Sequence, residues 1–264
     1  MGQQAGIGGS CLCGSVGFAL RGPLRDVVIC HCHWCRKSSG HVFASAAIAE
    51  QGLDLHRPGA LAWYRSSPGV RRGFCAGCGS SLFWLEAEGQ VRFAPGALDA
   101  PALLRIRGQI FEESAGDYYT PSGRAPRVGM APARLDCSCL CGETGFSVPG
   151  PAGEITACHC SGCRKSSGHF GASFAVDEAA VDWHGRATVA EFVLAGSGHE
   201  AATRGFCRIC GSSLYHRDPD GSFQVEAGAV DGRTGGRLAQ HLCVAQKGSY
   251  YELTDDLPQN EGRA

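Results

Sequence analysis

The sequence has no long hydrophobic run. None of its apolar stretches approaches the roughly 18–20 residues a helix needs to cross a bilayer, which excludes a helical membrane span. It also has almost no net charge. The 24 Lys and Arg against 25 Asp and Glu leave −1, so bulk electrostatics gives no attraction to nucleic acid or to an anionic membrane. The opening MGQQAGIGGS lacks the basic segment and apolar core of a secretory leader. Gly6 stands where a myristoylation signal needs Ser or Thr. A cytoplasmic location is therefore the expectation. Helical periodicity is weak and short throughout, which argues against a fold built mainly of helices.

What is abundant is cysteine and glycine, 16 and 39 residues in a chain of 264. Disulfides would require an export signal and usually a smaller scaffold. The cysteines instead fall in C-x-C, C-x-C-x-x-C and C-x-x-C clusters, each followed by Gly or by a basic pair. Thiols two or three residues apart are poorly placed to bridge one another and well placed to share a metal ion.

The clusters also recur. CLCGSVGF at 11–18 returns as CLCGETGF at 139–146, and RKSSGH at 36–41 returns at 164–169. RGFCAGCGSSL at 72–82 returns as RGFCRICGSSL at 204–214, and QIFEESAGDYY at 109–119 aligns with HLCVAQKGSYY at 241–251. The chain is a tandem duplication. It reads as a first zinc domain over 1–125, a second over 133–256 and a flexible tail over 257–264, with a turn-rich linker PSGRAPRVGMAPAR at 121–134. Within each copy, segments such as HVFASAAIA, LAWYRS and SLFWLEA, then FGASFAV, VAEFVLA and SLYHR, are rich in β-branched or aromatic residues and bounded by Gly, Pro and Ser. They predict short strands, hence an all-β fold of two domains with zinc knuckles. A small all-β unit of this size gains stability from a structural metal.

Each copy carries two kinds of cysteine group. Cys11 and Cys13 with Cys75 and Cys78, and Cys139 and Cys141 with Cys207 and Cys210, supply four thiolates from two knuckles, the composition of a closed structural zinc site. Gly79 and Gly211 follow the second knuckles and let the backbone curl so that amides face the sulfurs. The remaining groups have only three: Cys30, Cys32 and Cys35, and Cys158, Cys160 and Cys163. Three protein thiolates leave a zinc coordination position open for water or for a substrate thiol, which zinc would hold as a thiolate able to attack a small aldehyde. Alternatively a histidine closes the site: His31, His159, His41 or His169. Arg36 and Lys37, with Arg164 and Lys165, put positive charge beside each trio, useful for a substrate carrying carboxylates; the same pairs also suit a solvated surface.

The order CxCG, CHCxxCRKSSG, FCxxCGS resembles the family of glutathione-dependent formaldehyde-activating enzymes, the CENP-V/GFA domain, over nearly the full length of each copy. The resemblance implies a β-tent fold, two zinc ions per domain, and synthesis of S-(hydroxymethyl)glutathione from formaldehyde and glutathione. It assigns the structural zinc to the four-cysteine groups and the catalytic zinc to the trios, in agreement with the reading of the residues. A histidine in the family's closing segment is matched by His241, taken here as a substrate-binding candidate, but by Gln109 in the first copy. Trp34 lies within the first cluster only and would reshape a pocket mouth there. The second copy is thus the more family-like. Cys137 and Cys243 lie outside the pattern and read as buried, inert residues. Two competing functions stand beside this carbon–sulfur lyase activity: a zinc module that binds protein or nucleic acid, and a thiol or zinc redox sensor. A two-fold pairing of the copies is a further expectation.

Overall fold

The computed structural model describes residues 6–86, 89–121, 131–194 and 202–262. The first half forms ten strands: β1 (Ile7–Ser10), β2 (Gly17–Leu20), β3 (Arg25–Cys30), β4 (Phe43–Ala49), β5 (Leu53–Arg57), β6 (Leu61–Ser67), β7 (Val70–Cys75), β8 (Ser81–Leu85), β9 (Gln90–Phe93) and β10 (Ile106–Ile110). The second half repeats them as β11 (Arg134–Ser138), β12 (Gly145–Pro149), β13 (Glu154–Cys158), β14 (Gly171–Val176), β15 (Asp182–Gly185), β16 (Val189–Val193), β17 (Thr203–Cys207), β18 (Ser213–Arg217), β19 (Phe223–Glu226) and β20 (Arg237–Leu242). Each half has a three-stranded sheet, β1-β2-β5 or β11-β12-β15, and a seven-stranded sheet. The large sheets run β10-β3-β4-β9-β8-β7-β6 and β20-β13-β14-β19-β18-β17-β16. All pairings are antiparallel except β10 with β3 and β20 with β13. The all-β expectation holds, and no helix among the described residues is long and apolar enough to cross a membrane.

Two helices of about two turns interrupt the sheets, α1 (His33–Ser39) and α2 (Ser161–Ser167). Each is stopped by a glycine in the left-handed region, Gly40 at φ 84° and Gly168 at φ 86°, whose amides return to the carbonyls of Arg36 and Arg164. These glycines end the RKSSG stretch of both copies, so the turn chemistry repeats with the sequence.

Each half has its own core, and each core also takes tyrosines from the other half. Tyr118 packs into the core of the second half, with Leu135, Phe146 and Val225. Reciprocally, Tyr250 and Tyr251 pack into the core of the first, with Val27, Ile29 and Val42. The exchange is hydrogen-bonded as well as apolar. Asp117 accepts from the amides of Thr234 and Gly235, and Leu238 N–H donates to the Tyr118 carbonyl at 2.7 Å. The described part of the 257–264 tail bonds to the chain around the end of β20. Amides of His241, Cys243 and Val244 donate to carbonyls of Pro258, Gly262 and Asn260, because the end of β20 offers unpaired backbone groups that an adjacent strand-like segment satisfies.

Tyr118 and Tyr250 place their hydroxyls 2.6 Å from Nδ1 of His41 and His169, two fully buried imidazoles. Burial holds both histidines well below their usual pKa. The folded state therefore keeps them neutral, while the unfolded chain protonates them below about pH 6.5. Stability is unaffected above that pH and falls as pH drops through it, by about 1.4 kcal/mol per unit for each histidine. Urea midpoints measured at pH 7.5, 6 and 5, with metal content followed in the same samples, should decline steeply below 6.5. A flat profile with metal retained contradicts this.

Candidate metal centres

No disulfide joins any of the sixteen cysteines. In each four-cysteine group all sulfurs lie within 4.8 Å of one another. Cys13 and Cys75 are 3.7 Å apart, as are Cys141 and Cys207. A tetrahedral ion with bonds of about 2.3 Å places its sulfurs roughly 3.8 Å apart, so the spacing fits zinc. Backbone amides of Val16 and Thr144 point at Cys11 and Cys139, at 3.2 and 3.3 Å. Ser80 and Ser212 brace the two knuckles, accepting from the amides of Leu12 and Leu140 at 2.9 Å and meeting Cys78 and Cys210 at 3.3 Å. Gly79 and Gly211 take the left-handed turn expected of them. They meet a second constraint as well: a Cβ there would fall 2.6 Å from Phe206 and 2.4 Å from Phe74, each in the opposite half.

The trios are assembled by a strand end and a helix start. Cys30 and Cys158 close β3 and β13; Cys32 and Cys160 are the residues capping α1 and α2; Cys35 and Cys163 sit in the first turn, one helical repeat on. The Cys163 amide donates to Cys160 Sγ at 3.3 Å. The three sulfurs of each trio lie within 4.8 Å of one another, and among the described residues no histidine or carboxylate joins them. Packed together without a cation, they cannot all ionise. Hydrogen bonds from neighbouring thiols pull Cys32 down to about 2 and Cys160 down to about 3, while the same sharing pushes Cys30 up to about 11 and raises Cys158. Such a donor set is completed by a soft divalent cation that takes all three thiolates, and zinc fits.

The histidines offered as closing ligands are occupied elsewhere. His31 meets Tyr119 Oη through Nδ1 at 2.8 Å and Gln109 Oε1 through Nε2 at 2.7 Å. His159 meets Tyr251 Oη at 2.7 Å and His241 at 2.9 Å, and His241 in turn reaches Asp255 at 3.1 Å. As alternate residues in extended backbone, His31 and His159 point away from the cysteines that flank them. Gln109 and His241 hold the same place in the register, opposite Ile29 and Ala157. With His41, Tyr119, Phe170 and Tyr251, these groups line a chamber of about 520 Å³ between the halves.

The structure places the basic pairs at the seam between the halves. Lys37 is buried at 1% exposure, donates to Ser138 and to the Ala229 carbonyl at 2.8 Å, and pairs with Asp231. Lys165 makes the mirror contacts, to Ser10 and to Asp99 at 2.6 Å. Arg164 donates across to the Gly96 carbonyl at 3.3 Å, and Arg36 is buried. On a helix, successive residues turn by about 100°, so once Cys35 and Cys163 face the sulfurs the next two residues face the other half. Lys37, Arg164 and Lys165 thus bond across the seam between the halves. Trp34 is half-exposed, Cys137 is buried with its thiol pushed up to about 12 by desolvation, and Cys243 packs directly against Cys160 and Cys163.

The cation beside each trio comes from elsewhere. Arg72 places its guanidinium 3.7 Å from Cys35 Sγ, and Arg204 lies 3.6 Å from Cys163 Sγ. Burial works against the Arg204 charge, but the adjacent Cys163 and Cys160 sulfurs outweigh it and hold the guanidinium protonated. Both arginines open the repeated RGFC blocks, the one signal that marked them in the sequence. The second trio borders a cavity of about 10 Å³ shared with Ala202, Arg204, His216 and Asp218. In the first half Trp84 takes the place of His216 and packs on the cluster of Cys30, Cys32 and Cys35.

A family model described as glutathione-dependent formaldehyde-activating enzyme matches residues 6–114 and again 134–245. A crystal structure of a Rhodobacter sphaeroides protein superposes with a TM-score of 0.32 at 20% identity, covering 37% of this chain and 88% of its own. No curated protein matches the chain.

Proposed function

Because the chain belongs to the glutathione-dependent formaldehyde-activating enzyme family, we propose that it is a carbon–sulfur lyase that joins glutathione, or a related thiol, to formaldehyde or a related small aldehyde, giving S-(hydroxymethyl)glutathione. The observation that carries this reading is the pair of three-sulfur groups that no histidine or carboxylate among the described residues closes. Zinc held there would supply a fourth position that keeps a substrate sulfur as thiolate. The catalytic ligands are then Cys30, Cys32 and Cys35, and Cys158, Cys160 and Cys163, while the four-cysteine groups hold structural zinc. Arg72 and Arg204 offset the negative charge that accumulates when a further thiolate joins three others around a dication. His241 lines the chamber between the halves, held by His159 and Asp255, and is the candidate for contact with the substrate there. We place the reaction in the cytoplasm, where glutathione and the protein thiols stay reduced.

Exchange NMR of formaldehyde with glutathione tests the reading. The metal-loaded protein should exceed the spontaneous rate, and metal-stripped protein should match buffer alone. Cys160→Ser should lose most of the acceleration at the second trio, because it removes one of the three sulfurs that would hold the ion there. Equal rates in all samples would remove the lyase reading.

A further inference from the structure

The two trios differ in what faces them, and the difference is chemical. His216 on β18 and Glu226 at the end of β19 point inward from adjacent strands, with side chains only 7% and 6% exposed. Nδ1 of His216 lies 3.0 Å from Glu226 Oε1. A carboxylate only accepts, so Nδ1 carries the hydrogen and Nε2 presents its lone pair. Nε2 is 3.9 Å from Asp218 Oδ1, beyond hydrogen-bond length. His216 and Asp218 both line the cavity that also touches Cys158, Cys160, Cys163 and Arg204. At about 10 Å³ this space is the size of a single water. The corresponding positions of the first half hold no such pair. The repeat places Trp84 at the position of His216 and Ala94 at that of Glu226, and an indole N–H donates but does not accept.

We propose that His216, oriented by Glu226, accepts the proton of the substrate thiol at the second trio and returns it to the product, and that the first trio has no equivalent group. The inference rests on the lyase reading above. In the step, the S–H bond breaks and its proton goes to Nε2. A sulfur lone pair forms the C–S bond to the carbonyl carbon, and the C=O π pair moves to oxygen. That oxygen then takes the proton from Nε2, so thiol plus aldehyde gives hemithioacetal with no other reactant. The imidazolium formed in between faces the carboxylates of Glu226 and Asp218, which stabilise it, while Arg204 remains with the sulfurs.

Glutathione binding to the metal-loaded protein, followed calorimetrically in two buffers of different ionisation enthalpy, counts the protons released. The native second site should retain the thiol proton, so His216→Gln should release one more per chain at unchanged metal content. The same variant should lose about 10²-fold of the exchange rate above the spontaneous level, as expected for loss of a positioned proton acceptor. Conversely, the double variant Trp84→His with Ala94→Glu should reduce the released protons by one at the first site. Identical proton counts in native protein and His216→Gln, with metal retained, overturn the assignment while leaving the lyase reading intact. Absence of both glutathione binding and rate acceleration in the native protein overturns both.

Discussion

Cys207→Ser is expected to lower the metal content by one ion per chain and to unfold the second half near room temperature. Cys207 ends β17 and sits with Cys139 and Cys210 in the core of that half, its sulfur 3.7 Å from Cys141. A closed four-sulfur zinc site contributes on the order of 10–16 kcal/mol in small zinc-dependent domains, comparable with the entire stability of a domain. Serine restores neither a thiolate nor the apolar surface of a fully buried cysteine. Metal analysis together with thermal unfolding by circular dichroism measures both consequences. Cys137→Ser, equally buried but outside every sulfur group, is the control and should keep the full metal complement. If Cys207→Ser retains the native metal count and melts with the native protein, the group is not a structural centre.

Gly228→Ala should be severely damaging, with the shortest Cβ approach to backbone among the described glycines. Its Cβ would stand 2.3 Å from the Arg36 carbonyl oxygen, 2.5 Å from the carbonyl carbon of Gly40 and 2.7 Å from that residue's oxygen. These are backbone atoms of the opposite half, so no side chain can swing aside. They are also fixed, since the Gly40 amide closes α1 onto that same Arg36 oxygen at 2.9 Å and its carbonyl accepts the Gly228 amide at 2.7 Å. The repeat supplies a twin: Gly96 lies against Arg164 and Gly168, with 2.6 Å available to a Cβ. Overpacking of this kind costs about 3 kcal/mol or more, and it would be paid at the same seam that buries Lys37. Urea denaturation should show a large fall in midpoint for Gly228→Ala and for Gly96→Ala. Gly59→Ala, with no atom within 4 Å, should stay within about 0.5 kcal/mol of native. Midpoints equal to the Gly59 control would mean the seam can open by several tenths of an ångström without loss.

Much of this molecule could be read from its order of residues, because metal ligation is local. C-x-C, C-x-x-C and C-x-C-x-x-C spacings bring sulfurs together through turns and helix starts only a few residues long, and Gly79, Gly211, Gly40 and Gly168 mark the turns that do it. Duplication was legible for the same reason, each short block recurring with its neighbours. The orientation of charged side chains was not legible. RKSSG looks like a solvated basic pair in any window of sequence, and only the docking of the halves shows Lys37 and Lys165 consumed at the seam. Nor could spacing reveal that Arg204, His216 and Glu226, on three adjacent strands or neighbouring ends of one sheet, converge near Cys163. The sequence by itself determined four sulfur groups, two closed and two three-membered, on a twice-repeated set of strands. Only the tertiary structure decided what stands opposite the three-membered groups and which cations serve them, since those contacts join residues 37 or more positions apart and exist only once strands pair and the halves exchange their tyrosines.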